Sequence, residues 1–319
     1  MAAGSKKNML QSSKSQLKQH THLQGSNMKV VEPKFIKSVR NELGESPVWN
    51  PNDNSLYWTD IQEKKLYSFS LSDEICRQWS LPERLGSFSF RKGGGIIGAF
   101  ETGFATFNLD SNELNWLSRP LELGNGVRFN DGKTDPFGRF LAGTMDENCK
   151  DFSGALWGIS EKHEMHKLIE SVCISNSLAW SPDGRTMYFS DSTKKVIEKF
   201  EYDPATGTLG EQGIHIDFTN QPGVPDGSAI DSKGGLWTAF YGGGQIIRTT
   251  SDGVIDEIIK LPVSQPTCCA FGGPDLDILF VTTAAQNLSR EEIINKPLSG
   301  LVLKIDVNET GLNPSISYL

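Results

Sequence analysis

Histidine and cysteine are scarce in this 319-residue chain, at five each. Cys76, Cys149, Cys173, Cys268 and Cys269 are odd in number and scattered. They form no Cys-x-x-Cys pair, which excludes a zinc ribbon or a dithiol redox motif. They read as ordinary thiols of a reducing compartment. No Gly-x-Ser-x-Gly nucleophile elbow occurs, and no His-Glu-x-x-His zinc motif. No stretch approaches the roughly 18 apolar residues of a membrane span. Positive charge is not in excess: the formal net charge is −8 and the pI near 5.3. A nucleic-acid partner, which needs a basic surface, is therefore not expected, nor a membrane, and the expected location is the cytoplasm. Residues 1–28 lack acidic and aromatic residues altogether and carry four lysines. Such a segment cannot bury enough apolar surface to order itself and is expected to be a disordered tail. It has no apolar core of a secretory signal.

What remains, residues 29–319, contains a repeat. A short apolar strand leads into a turn of Asp, Asn or Gly, and a second strand rich in Trp, Tyr and Phe follows. One copy is "SPVWNPNDNSLYWTDIQEKKLYSFSL", Ser46–Leu71; another is "NSLAWSPDGRTMYFSDSTKKVIEKFEYDPATG", Asn176–Gly207. Six copies can be aligned on Val48, Phe88, Phe129, Ala179, Ile230 and Ala270. A unit of about 40–50 residues holding several strands is the spacing of a propeller blade. The expected fold is all-β, a six-bladed β-propeller. Radial repetition leaves only short sheet edges, where a flat sheet of so many strands would expose long ones. Lys34–Val39 is placed to add a strand to the last blade and close the ring. Ser289–Asn295 reads as a short helical insertion. His163 and His166, in "EKHEMH", read as an exposed loop between blades. The triple glycines Gly93–Gly95 and Gly242–Gly244 lack the strand-to-helix setting of a phosphate loop and read as tight strand turns.

In a propeller the innermost strands converge on one axis, so polar residues at their starts meet in space. In this chain those residues are Glu45, Arg128, Asn130, Asn176 and Asp226. Carboxylate and amide oxygens suit a hard divalent cation, with Glu45 and Asp226 balancing its charge and Asn176 adding a neutral oxygen. So few protein ligands leave coordination positions for water or substrate, as in a catalytic metal site. Each residue taken alone also fits a plain turn, since Gly-Glu-Ser-Pro and Pro-Asp-Gly are common turn sequences. The metal reading rests on their coincidence across the repeat.

The strings "GESPVW", "RFNDGKTDPFGRFLAGTM", "ISNSLAWSPDGRTMYFSDS", "VPDGSAIDSKGGLWTAFYGGG" and "AFGGPDLDILFVTTA" resemble the family of gluconolactonase, senescence marker protein (regucalcin) and luciferin-regenerating enzyme. The last two look closest to bacterial sugar lactonases. The resemblance spans Lys34 to Asp306. It implies a six-bladed propeller with one divalent metal ion held by Glu45, Asn176 and Asp226. It implies substrate hydroxyls bound by Arg128 and Asn130, and Asp226 as general base. The implied substrate is a small-molecule sugar lactone, opened to its aldonic acid with the metal as Lewis acid. Oxygen ligation admits Ca²⁺, Mg²⁺ or Mn²⁺, and Zn²⁺ or Fe²⁺ also accept carboxylates. Two departures stand out. Asn176-Ser177 replaces the Asn-Gly of many members. Asn148, preceded by Asp146 and Glu147, falls where vertebrate members carry an acidic substrate contact. The competing functions are a metal-dependent esterase or organophosphate hydrolase on the same scaffold, and a non-enzymatic calcium-binding propeller.

Overall fold

The structure, a computed structural model, describes residues 27–30, 32–36, 39–122, 124–148 and 151–319. Six sheets of four or five strands make six blades. The innermost strands are Gly44–Asn50, Leu85–Phe90, Val127–Thr134, Ser175–Trp180, Val224–Ile230 and Pro266–Gly272. Within each blade the four strands from the axis outward pair antiparallel, each with the next. The second strands, such as Ser55–Asp60 and Thr186–Asp191, are buried nearly throughout, on both faces. That follows from their position: each lies between two neighbouring blades, so neither face meets water and the alternation of a half-buried strand disappears. The outermost strands, such as Cys76–Ser80, face solvent and are largely polar.

The apolar core is divided by the seams between blades. Tyr57 and Leu66 of blade one pack on Phe88 and Phe100 of blade two. Phe104 of blade two packs on Phe129 of blade three, rings 4.8 Å apart. Corresponding clusters fill the three–four, four–five and five–six seams. Trp49 of blade one stacks on Phe280 of blade six at 5.9 Å. With an apolar cluster at all six seams, the ring is closed by side chains as well as by backbone.

Backbone closure takes the form expected. Lys34–Phe35 pairs antiparallel with Leu303–Lys304, so a strand from the start of the domain completes blade six. A second closure was not foreseen: Asn27–Val30 lies parallel to Glu257–Lys260 and gives blade five a fifth strand. The expected tail therefore lies outside the described residues except for Asn27 and Met28, which are in this strand. The expected helical insertion is present as Arg290–Asn295, started by a capping box between Ser289 and Glu292. The expected inter-blade loop at His163 and His166 is instead a hairpin inside blade three. His163 sits in its turn at φ 63°, and His166 lies on the exposed outer strand Met165–Val172. Both glycine triplets are tight turns, between Leu85–Phe90 and Ile96–Phe100 and between Leu236–Tyr241 and Gln245–Thr249.

The tunnel has two unlike mouths. The innermost strands begin at one and end at the other. At the far mouth the C-terminal segment crosses the axis. Gly311 bridges Asp231 after the inner strand of blade five, and Ser317 bridges Arg91 after that of blade two. Leu312–Ser315 between them close a tunnel cavity of about 340 Å³, whose walls include Trp49, Phe88, Trp180 and Phe271. The near mouth holds the residues singled out by the sequence.

Candidate functional site

Every innermost strand carries one extra residue near its start. The register jumps between Glu45 and Val48, Leu85 and Ser87, Phe129 and Gly132, Asn176 and Ala179, Pro225 and Ser228, and Pro266 and Cys268. Such a bulge bends the strand and re-aims the side chains beside it, and six in a ring turn their side chains on one mouth. Ser46 and Ser177 sit on two of these bulges at φ 48° and 58°, in the left-handed region. The bulges also correct the expected register. Glu45 and Asn176 are the last paired residues before the jump, while Asn130 and Asp226 are the first residues beyond it. The four positions are staggered by one residue and are not strictly equivalent.

Glu45, Arg128, Asn176 and Asp226 are each at most 8% exposed. Burial pushes the Glu45 carboxyl up to about 8, with the charge of Asp131 adding to it. Burial likewise raises Asp226 well above the usual carboxylate range, and the charges of Glu45 and Asp131 raise it further. Blades one, three and five thus bring three carboxylates into one electrostatic neighbourhood. Asp131 was missed by sequence reasoning. It is buried, accepts from Leu178 N at 3.1 Å and is also raised, first by burial. Lys133, whose Nζ donates to Ser228 O at 2.7 Å, supplies part of the compensating charge. Gly227 after Asp226 is required by space, because a Cβ there would overlap the Cys268 side chain.

Arg128, Asn130 and Asn176 form one chain of hydrogen bonds. Arg128 Nη1 donates to Asn130 Oδ1 at 2.8 Å. Asn130 Nδ2 donates to Asn176 Oδ1 at 3.1 Å and to Ser175 O at 3.0 Å. Asn176 Nδ2 donates to Ser192 Oγ at 2.8 Å, and Ser192 Oγ donates to Pro225 O at 2.6 Å. The ends fix every direction between them: a guanidinium only donates and a backbone carbonyl only accepts. Both amides therefore have one orientation, and the Asn176 oxygen is turned away from Ser192.

Outside this chain lies an ion-pair network that the sequence did not reveal. Glu147 accepts from Arg128 Nε at 3.2 Å and from Arg84 Nη1 at 2.6 Å, and Arg84 Nη2 is 2.6 Å from Glu101 Oε1. Burial acts to raise Glu147, but the hydrogen bond from Arg84 and the charges of both arginines outweigh it and hold it low. Asn148 is exposed and its N–H donates to Asp146 Oδ1 at 2.9 Å.

Among the described residues no group of three or more His, Cys, Asp and Glu side chains is arranged to hold a metal. The expected set is thinner, two carboxylates and an amide. Its chemistry nevertheless fits a divalent cation. Two buried acids with raised proton affinity, Asp226 in part through the charge of Glu45, are short of positive charge, and oxygen donors alone suit a hard ion.

The sequence matches the SMP-30/Gluconolactonase/LRE-like region over residues 43–285. The chain belongs to this family. Regucalcin of Xenopus laevis is 34% identical over 284 residues, covering 87% of this chain and 95% of that one. The 6-deoxy-6-sulfogluconolactonase of Pseudomonas putida is 36% identical over 270 residues, covering 84% and 92%. Among solved structures, a calcium-binding protein, regucalcin, from Agrobacterium tumefaciens superposes with a TM-score of 0.87 at 27% identity. The match covers 92% of this chain and all of that one. As a member of the gluconolactonase family, the chain has relatives that support lactone hydrolysis as its general chemistry. No helix among the described residues is long and apolar enough to cross a membrane.

Proposed function

We propose that this chain hydrolyses a neutral sugar lactone at the near mouth of the tunnel, with one divalent cation held by Glu45, Asn176 and Asp226. The observation that carries the reading is the buried pair Glu45 and Asp226, brought from blades one and five and each raised in proton affinity. When bound, the cation would polarise the lactone carbonyl as a Lewis acid.

The remaining chemistry belongs to the chain. Asp226 is the base: its carboxylate takes a proton from the water that attacks the carbonyl carbon. The ring C–O bond then breaks, and the ring oxygen leaves as a hydroxyl carrying the proton that Asp226 returns. Arg128 and Asn130 hold the ring hydroxyls, and Glu147 and Asn176 fix these two side chains in turn. Positioning of this kind supplies several kcal/mol of the barrier reduction. A neutral substrate is favoured over a sulfonated one because Arg84 and Arg128 already face carboxylates. Neither offers an uncompensated cation to an anionic group.

The test is a pH-stat assay over pentono- and hexonolactones after chelation, with Ca²⁺, Mg²⁺, Mn²⁺, Zn²⁺ or Fe²⁺ restored one at a time. Turnover of a lactone that returns with a metal supports the reading. Metal binding with no turnover across the panel would leave a calcium-binding propeller, and preference for aryl esters or phosphotriesters would leave the esterase.

A further inference from the structure

Two buried hydroxyls of blade four touch the backbone that carries Asp226. Ser177 Oγ donates to Asp226 O at 2.5 Å, and Ser192 Oγ donates to Pro225 O at 2.6 Å. Both serines are at most 1% exposed, and both bonds cross the seam between blades four and five. Successive carbonyls of blade five, at the start of its bulge, are thus tied to blade four.

Ser177 occupies an uneasy backbone position to do this. Its φ of 58° lies in the left-handed region, strained for a residue with a side chain and freely adopted by glycine. Glycine would satisfy the backbone of this bulge. A serine here brings a hydroxyl that glycine lacks, and that hydroxyl reaches Asp226. Ser192 has a second task. Its one proton goes to Pro225 O, so its oxygen must accept, and only the N–H₂ side of Asn176 can donate to it at 2.8 Å. The Asn176 oxygen is left facing Asn130.

We propose that Ser177 and Ser192 are positioning residues for the near-mouth site: they fix the Asp226 backbone and select the Asn176 amide orientation that presents oxygen to a cation. The inference rests on the proposed roles of Asp226 and Asn176. Groups behind metal ligands typically change affinity or activity by about 10–100-fold when removed.

The experiment compares Ser177→Gly, Ser192→Ala and Ser192→Thr with the unaltered chain. The readouts are Mn²⁺ affinity by titration calorimetry, kcat and KM on the best lactone, and metal-free melting temperature. Ser177→Gly is expected to lower kcat about tenfold with KM little changed. Its melting temperature should stay near that of the unaltered chain, because relief at φ offsets the lost hydrogen bond. Ser192→Ala is expected to weaken Mn²⁺ binding about tenfold or more, and Ser192→Thr, which keeps the hydroxyl, to restore most of it. Unaltered kcat in Ser177→Gly together with unaltered Mn²⁺ affinity in Ser192→Ala would overturn the inference. Asp226→Asn is the control. If it stays active, the reading of the site falls. If it is inactive while both serine variants behave as the unaltered chain, only the positioning role falls. The Mn²⁺ arm needs no substrate and so decides the Ser192 role on its own.

Discussion

Asn130 of blade three donates to the side-chain oxygen of Asn176 in blade four at 3.1 Å, across a seam and 46 residues of sequence. A proposed substrate contact and a proposed metal ligand are therefore one unit. Replacing either breaks the same hydrogen-bond chain from Arg128 to Pro225. Asn130→Ala is expected to weaken Mn²⁺ binding although Asn130 is not assigned as a ligand, and to raise KM for the lactone. A double-mutant cycle with Asn176→Ala should be non-additive by about 0.5–3 kcal/mol, the range for residues in one network. Additive effects within about 0.3 kcal/mol would show that the two amides act separately.

Asp231 offers a test of stability away from the chemistry. It is completely buried and accepts from Lys233 N, Gly235 N, Trp237 Nε1 and Arg248 Nε, all at 2.8–2.9 Å. One carboxylate thereby holds the turn of blade five, its central Trp and a guanidinium on its third strand. Asp231→Ala leaves the indole N–H without its partner and strips Arg248 of one of its two carboxylates, Asp256 remaining. The expected cost is about 3–5 kcal/mol, as for other broken buried pairs. Urea denaturation checks it, with Asp183→Ala, in an exposed turn of blade four, expected to change stability by less than about 1 kcal/mol.

The C-terminal strap is a third case. Leu319 packs against the blade two–three core, and Ser317 bonds backbone to backbone with Phe90 and Lys92. Deleting 311–319 removes these contacts and opens the far mouth of the tunnel. The melting temperature is expected to fall by several degrees, while kcat/KM stays within about twofold, because the backbone bonds of the strap go to Leu276, Phe90, Lys92 and Gly138 and not to the proposed site residues. A loss of activity in folded protein at low temperature would mean that the strap does more than seal the tunnel.

The blades were legible in the sequence because each repeats a local signal, a Trp- or Phe-rich strand beside a turn, and all six seams are built from those strands. Glu45, Arg128, Asn130, Asn176 and Asp226 were legible because strand starts in a propeller converge. What stayed hidden depends on partners that only the ring brings together. Glu147 follows a recognisable Gly-Thr-Met, but nothing local says that Arg84, 63 residues earlier, faces it. Ser192 reads as one serine among many until Asn176 and Pro225 are placed on either side. The one-residue stagger of the site was hidden too, since a bulge changes no residue type and leaves the repeat spacing intact. Asn27–Val30 carries too little apolar pattern to announce itself as a strand.

The acidity of the site sets the last expectation. Glu45 is pushed up to about 8 in the folded chain and returns to its ordinary value near 4.5 on unfolding. Between those limits the folded state binds more protons than the unfolded one, so stability falls as pH rises through this window. His215 works in the opposite sense. Burial lowers it to about 4, so the unfolded state takes up its proton more readily below pH 6.5, and stability rises with pH up to there. The two trends oppose one another below about pH 6.5, and above it the raised carboxyls of Glu45 and Asp226 act in one direction without the histidine against them. Chelated protein should therefore lose melting temperature between pH 6.5 and 8. Glu45→Gln should lessen that slope, leaving the part due to Asp226, and saturating Mn²⁺ should cancel it by supplying the positive charge in place of a proton. A slope unchanged by either treatment would mean that Glu45 and the cation do not share a site.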